Sequence, residues 1–207
     1  MKNGIIKHIF FDIGGVLLNI DPLQSLQYWS DCTGLPVDIL RDGFSHEAHE
    51  LYETGHLSDD EFFSAVKDGL PQPNNLNEAD FWKGWDKLIL DETETVKLLT
   101  LLKNSYHVYL LSNTNPRHIK HELNKRFSFQ KNVHRTFYSF EMNCRKPNKE
   151  IYLKALKNIG ATPNESIFID DMLVNIKQAK KLGFNTIHYT GYENMIKMLN
   201  EIGIITQ

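Results

Sequence analysis

One interruption constrains this chain more than anything else in it. The apolar run Ile9-Phe10-Phe11 stops at Asp12, passes through Ile13-Gly14-Gly15 and turns apolar again at Val16-Leu17-Leu18. With Ile5 and Ile6 ahead of it, the run is β-branched and aromatic, the composition of a strand covered on both faces in a parallel sheet. A carboxylate inside such a run has two explanations. Either Asp12 ends the strand and caps backbone N–H groups of the turn, with the glycines at positive φ. Or it stands at the carboxyl end of the first strand of an open α/β sheet, where ligands bind, and Gly14 and Gly15 let backbone approach a ligand closely.

Size and charge narrow the field. A chain of 207 residues, 41% hydrophobic and 24% charged, is an ordinary globular protein, either one large domain or a core with an insertion. The net charge of −3, with both signs mixed along the chain, offers no basic stripe, which argues against nucleic acid and anionic membrane as partners. Cys32 and Cys144 match no zinc or thioredoxin spacing and read as free thiols of a reducing compartment. Lys2 and Lys7 precede apolar residues, but Asp12 interrupts that stretch and no small-residue cleavage site follows, so no signal peptide is expected. There is no apolar run near membrane-spanning length. The expectation is a cytoplasmic protein, with a monomer as the default state.

Two styles of sequence alternate along the chain. Asp21-Pro22 is an N-cap followed by proline in the first turn, and Gly34 suits the end of that helix. From Leu23 to about Leu90 the pattern is helical, with a capping box at Ser58 and Glu61 and a loop over Pro71 to Asn75. Phe81, Trp82 and Trp85 share one helical face, and with Trp29 they read as packing rather than pocket. From Thr93 onward helices alternate with short apolar strands at Val108–Leu111, Thr136–Ser139, Ile167–Ile169 and Thr186–His188. Such alternation predicts an α/β fold, a doubly wound parallel sheet with right-handed crossovers. The helical block is then a cap inserted after the first strand. The expected division is a core of residues 1–18 and 91–207 and a cap of residues 19–90.

Three apolar strands end in polar residues: Asp12, Ser112-Asn113 and Asp170-Asp171. In a doubly wound sheet the carboxyl ends of neighbouring strands face one crevice, so these groups can converge. Gathering Asp12, Asp170 and Asp171 there is costly unless a cation lies among them, and an all-oxygen ligand set favours Mg²⁺. Each piece also has an ordinary structural reading. Asp170-Asp171 and Ser112-Asn113 suit helix caps, and Lys146 in Arg145-Lys146-Pro147 suits a solvated turn. Beside a metal and carboxylates, Lys146 would instead neutralise a phosphoryl group, and Ser112 with free N–H groups would hold its oxygens. Arg145 reads as a surface residue.

These residues carry a resemblance. Phe10 to Leu17, Leu111-Ser112-Asn113-Thr114, Arg145-Lys146-Pro147 and Ile169-Asp170-Asp171 with Asn175 resemble the four ordered motifs of the haloacid dehalogenase (HAD) superfamily. The match spans essentially the whole chain. Tyr52 to Ser58 is similar to a stretch in a subgroup of sugar-phosphate phosphatases that includes α-glucose-1-phosphate phosphatase. The resemblance implies a phosphomonoester hydrolase acting on small phosphorylated metabolites, sugar phosphates among them. Asp12 would be the nucleophile, and Asp12, the Gly14 carbonyl and Asp170 would hold Mg²⁺ with Asp171 behind them. Ser112, the Asn113 backbone and Lys146 would bind phosphate.

One position departs from that pattern. Most phosphatases of the superfamily carry a second aspartate two residues after the nucleophile, which protonates the leaving group. Here Gly14 stands there. Asp21, His46, Glu47, His49 and Glu50 are the candidate replacements, each with an ordinary reading as a solvated or structural side chain. The departure also motivates an alternative: a catalytically weak phospho-ligand binding or regulatory protein. A carbon–halogen hydrolase also uses an aspartate nucleophile, but that chemistry needs no metal and leaves Asp170-Asp171 unexplained.

Overall fold

In the computed structural model, residues 5–204 are described; Lys2 and the other chain-end residues of the expected core lie outside them. Strand β1 (His8–Phe11) leads through a tight turn into β2 (Leu18–Ile20). Five helices follow: α1 (Pro22–Thr33), α2 (Val37–Gly43), α3 (His46–Glu53), α4 (Asp59–Gly69) and α5 (Glu78–Asp86). The chain then runs through β3 (Ile89–Glu92), α6 (Val96–Lys103), β4 (His107–Ser112) and a π-helical turn (His118–Leu123) that continues as α7 (Asn124–Arg126). After β5 (Arg135–Tyr138) come α8 (Ser139–Met142), α9 (Lys149–Ile159), β6 (Ser166–Asp170), α10 (Leu173–Lys181), β7 (Asn185–His188) and α11 (Tyr192–Glu201).

The main sheet has the order β5-β4-β1-β6-β7, with every neighbouring pair parallel. This is the doubly wound α/β architecture expected from the alternation. Side chains of β1 alternate between two cores: Ile9 and Phe11 join one cluster and Phe10 the other, and all three are fully buried. Each such burial contributes roughly 1.5–3 kcal/mol, which is why the run has no polar member before Asp12. The strand order turns around at β1, whose next neighbours in sequence lie on opposite sides, so the crevice opens at the carboxyl ends of β1 and β6.

Local signals in the helical block are met closely. Asp21 accepts from the Leu23 N–H at 3.0 Å, and Gly34 closes α1 at φ 74°. Ser58 and Glu61 form the reciprocal capping box of α4. The helices bury an aromatic cluster of their own, in which Tyr52 stacks on Phe62 at 4.3 Å and Trp29 on Phe81 at 5.2 Å between ring centroids. The sequence pattern missed β2 and β3, which pair antiparallel as a short ribbon where the chain leaves the sheet and returns. Three and four residues are too few to show a period. No helix among the described residues is long and apolar enough to cross a membrane.

Candidate active site

The sheet brings the distant acidic residues together. Asp12 follows β1 directly, its N–H donating to the Ile169 carbonyl at 2.9 Å, and Asp170 ends β6 beside it. One oxygen from each of Asp12, Asp170 and Asp171 lies within 4.8 Å of the others. Asp170 is wholly buried, and its carboxylate accepts from the Met172 N–H at 2.8 Å and from Asn175 Nδ2 at 3.0 and 3.1 Å. Asp12 Oδ1 accepts from the Ile13 N–H at 2.7 Å, whereas Oδ2 takes no hydrogen bond from any described residue.

The two glycines play different parts. Gly15 has φ +76°, and a Cβ there would lie 2.3 Å from Asp171 Oδ2, so only glycine lets the turn pass under that carboxylate. Gly14 is not so constrained; a Cβ there would meet only the Ile20 side chain, at 3.5 Å. The turn also leaves the Gly14 carbonyl, and the N–H groups of Gly14 and Asn113, without partners among the described residues.

Lys146 is not the solvated turn residue of the ordinary reading. It is 1% exposed, and its Nζ lies 2.7 Å from both Asp12 Oδ1 and Asp170 Oδ2. Burial alone would lower its pKa, but the two carboxylates outweigh that and hold it above the usual lysine value. Burial pushes the Asp12 carboxyl up to about 7 against the pull of Lys146, with Asp170 adding to the rise. Burial and Asp170 likewise raise Asp171. The lysine is held by Asn113, whose side chain donates to the Lys146 carbonyl at 2.9 Å and accepts from the Lys146 N–H at 2.8 Å. Ser139 Oγ pins the same loop through both backbone groups of Thr114. Ser112 ends β4 almost fully buried, close to this cluster at the mouth of one cleft.

That cleft, of about 440 Å³, runs from Asp12, Ser112, Asn113, Lys146 and Asp171 up to the helices of residues 22–86. Of the candidate acids, Asp21 is an N-cap, and Glu47 and Glu50 border a separate hollow. His46 and His49 do line the main cleft. Burial, helped by Arg145, pulls His49 down to about 4, so its imidazole is neutral at neutral pH and carries no acidic imidazolium proton for a leaving group. Trp29 and Trp85 correct the packing-only expectation: both belong to the aromatic cluster and also line the cleft, while Trp82 only packs.

Arg145 is a second correction. It is not a free surface residue: Nη1 lies 2.6 Å from Glu50 Oε1 and Nε 3.0 Å from Glu53 Oε2, so it ties α3 to the Lys146 loop. Glu53, 7% exposed and with its carboxyl raised by burial, lines the cleft and was missed in the sequence. Its four-residue spacing from His49 was the available signal; the two side chains stand 3.5 Å apart.

A family model described as haloacid dehalogenase-like hydrolase matches residues 6–183. The chain belongs to this family. Among HAD relatives it is 31% identical over 191 residues to D-ribitol-5-phosphate phosphatase of Bacteroides thetaiotaomicron, covering 88% of this chain and 91% of that one. It is 27% identical over 184 residues to the sesquiterpene phosphatase astK of Aspergillus oryzae, covering 89% and 90%. A HAD-family enzyme of B. thetaiotaomicron, in an aspartate-to-alanine mutant solved with magnesium and inorganic phosphate, superimposes with a TM-score of 0.79 at 27% identity, covering 90% of this chain and 95% of that one.

Proposed function

We propose that this protein is a Mg²⁺-dependent phosphomonoester hydrolase that acts on a small phosphorylated metabolite through an aspartyl-phosphate on Asp12. The observation that carries the reading is the convergence of three strand-end carboxylates around one buried lysine. Sequence relatives that are phosphatases, and a structural neighbour holding magnesium and phosphate, support it. The residues also fit the metal. The donors are all oxygen, the Gly14 carbonyl and Asp12 Oδ2 have no partner among the described residues, and three carboxylates outnumber the single ammonium. Asp12, the Gly14 carbonyl and Asp170 would hold Mg²⁺, with Asp171 supporting it, and the bound ion would orient and neutralise the phosphoryl group.

The chain's own groups supply the rest. Asp12 attacks phosphorus; the ester P–O bond breaks and its oxygen leaves as the alcohol with a proton taken from water, and a second water then attacks the acyl phosphate to release phosphate and restore the carboxylate. Ser112, the Asn113 N–H and Lys146 bind the phosphoryl oxygens, with Lys146 offsetting the charge that builds in transfer. Residues 19–90 act as the cap over this centre, and a cytoplasmic location belongs to the same proposal. The two sequence relatives differ in the alcohol they release, so membership in the family leaves the leaving group open.

Phosphate release from p-nitrophenyl phosphate tests the reading. Activity is expected with Mg²⁺, to fall to background in EDTA and to return when Mg²⁺ is restored. Tight phosphate binding without turnover would favour the weak-binder alternative that Gly14 motivates, and metal-free halide release from a 2-haloacid would favour dehalogenation.

The space at Gly14 yields a further expectation. An added Cβ meets nothing tighter than 3.5 Å, so the backbone has room for a side chain there, and Gly14→Asp puts a carboxyl at the position where most superfamily phosphatases have their acid. General acid help is typically worth about 10²–10⁴ in rate, so kcat for poor leaving groups should rise by at least about tenfold, with little change for p-nitrophenol. An identical dependence on leaving-group pKa in both proteins would show that the proton already comes from elsewhere.

A further inference from the structure

Away from the phosphate end the cleft changes character. Ile20 lies against Gly14, and from there Leu26, Phe44 and Leu88 carry an apolar wall to the rings of Trp29 and Trp85. Polar side chains reach this space, yet most are already committed within the protein. Asn115 accepts from the His118 N–H at 2.9 Å and its Nδ2 stands 3.2 Å from the His118 ring, whose Nε2 is 3.3 Å from the Trp85 carbonyl. Arg41 is paired with Asp38 at 2.6 Å, and Arg145 with Glu50 and Glu53. His49 stands beside Glu53, and His46 is exposed. Ser25 and Trp85 differ: both are buried and line the cleft, and neither Ser25 Oγ nor Trp85 Nε1 has a hydrogen-bond partner among the described residues.

A polyol brought into such a space gives up water at every hydroxyl and finds few free partners in return. An apolar chain forfeits no hydrogen bonds to water and gains burial with each carbon. Ile20 beside Gly14 carries the apolar wall down to the turn that follows Asp12. On the reading above that the protein is a phosphomonoesterase, we propose that its substrate is the phosphate ester of a largely apolar alcohol. That alcohol is an alkyl, prenyl or aryl chain carrying at most one or two polar groups, for Ser25 and Trp85, and not a polyol.

The test uses the full chain with Mg²⁺ and two probe sets. In the first, binding of butyl-, hexyl- and octylphosphonate is measured by calorimetry, without need of turnover. Affinity is expected to rise about fourfold per methylene until the cleft is filled, the equilibrium factor for burying one methylene. The slope is expected to flatten in Ile20→Asn, a position 42% exposed and so tolerant of the change. In the second, kcat/KM for octyl and geranyl phosphate is compared with D-ribitol 5-phosphate and α-glucose 1-phosphate, and the apolar esters are expected to lead by about tenfold or more. Affinity independent of chain length, no phosphonate binding, or faster hydrolysis of the polyol esters would overturn the proposal. A chain-length slope with no ester hydrolysed would sink the hydrolase reading, and the substrate assignment with it, while leaving the apolar preference of the cleft standing.

Discussion

Asp12→Asn is expected to remove Mg²⁺-dependent phosphate release by about 10³-fold or more, since the amide keeps the side chain's volume and loses the nucleophile. The loss should not come from unfolding. Burial has already raised the Asp12 carboxyl to about 7, so the charge removed is one that the site holds at a cost. Lys146 keeps its second partner, Asp170, at 2.7 Å. The melting temperature is therefore expected to stay the same or rise. Phosphate release above about a tenth of the parent rate, with the substitution verified, would show that the bond to phosphorus is not made by this residue.

Lys146→Met is expected to cost both activity and stability. The ammonium lies within 2.7 Å of two buried carboxylates, and removing one partner of a buried ion pair typically costs about 3–5 kcal/mol because the other charge is left uncompensated. For a chain of this size each kcal/mol lowers Tm by about 2–4 °C, so a fall of roughly 6–20 °C is expected in EDTA. Added Mg²⁺ should recover part of the fall, since it returns positive charge to the same oxygens, yet turnover should stay low because phosphoryl neutralisation is gone. A melting curve that overlays the parent in EDTA would mean that Lys146 does not hold the carboxylates together. The pair of variants separates the two jobs done at this centre: Asp12 reacts at little expense in stability, whereas Lys146 supports both.

Much of the local structure is legible in the sequence because its signals act over a few residues. An aspartate that breaks a buried strand, a glycine that turns beneath it, and a capping box at Ser58 each act within a few residues, and each took the expected conformation. The doubly wound sheet followed from alternation, and with it the meeting of Asp12 with Asp170. Harder to read were the partners of single charged residues. Arg145 reads as surface in the sequence, and its ties to Glu50 and Glu53 exist only once α3 packs beside the Lys146 loop.

By itself, then, the amino-acid order determined the strands of the main sheet, several helix ends and the family. All of these depend on backbone preference and on side-chain periodicity along a few turns. Tertiary structure alone decided that Lys146 is buried between two carboxylates, that Gly15 and not Gly14 requires glycine, and that Trp29 and Trp85 serve a cleft as well as a core. Burial and charge pairing are set by what lies across a contact, and a linear pattern carries no record of which distant residue that is.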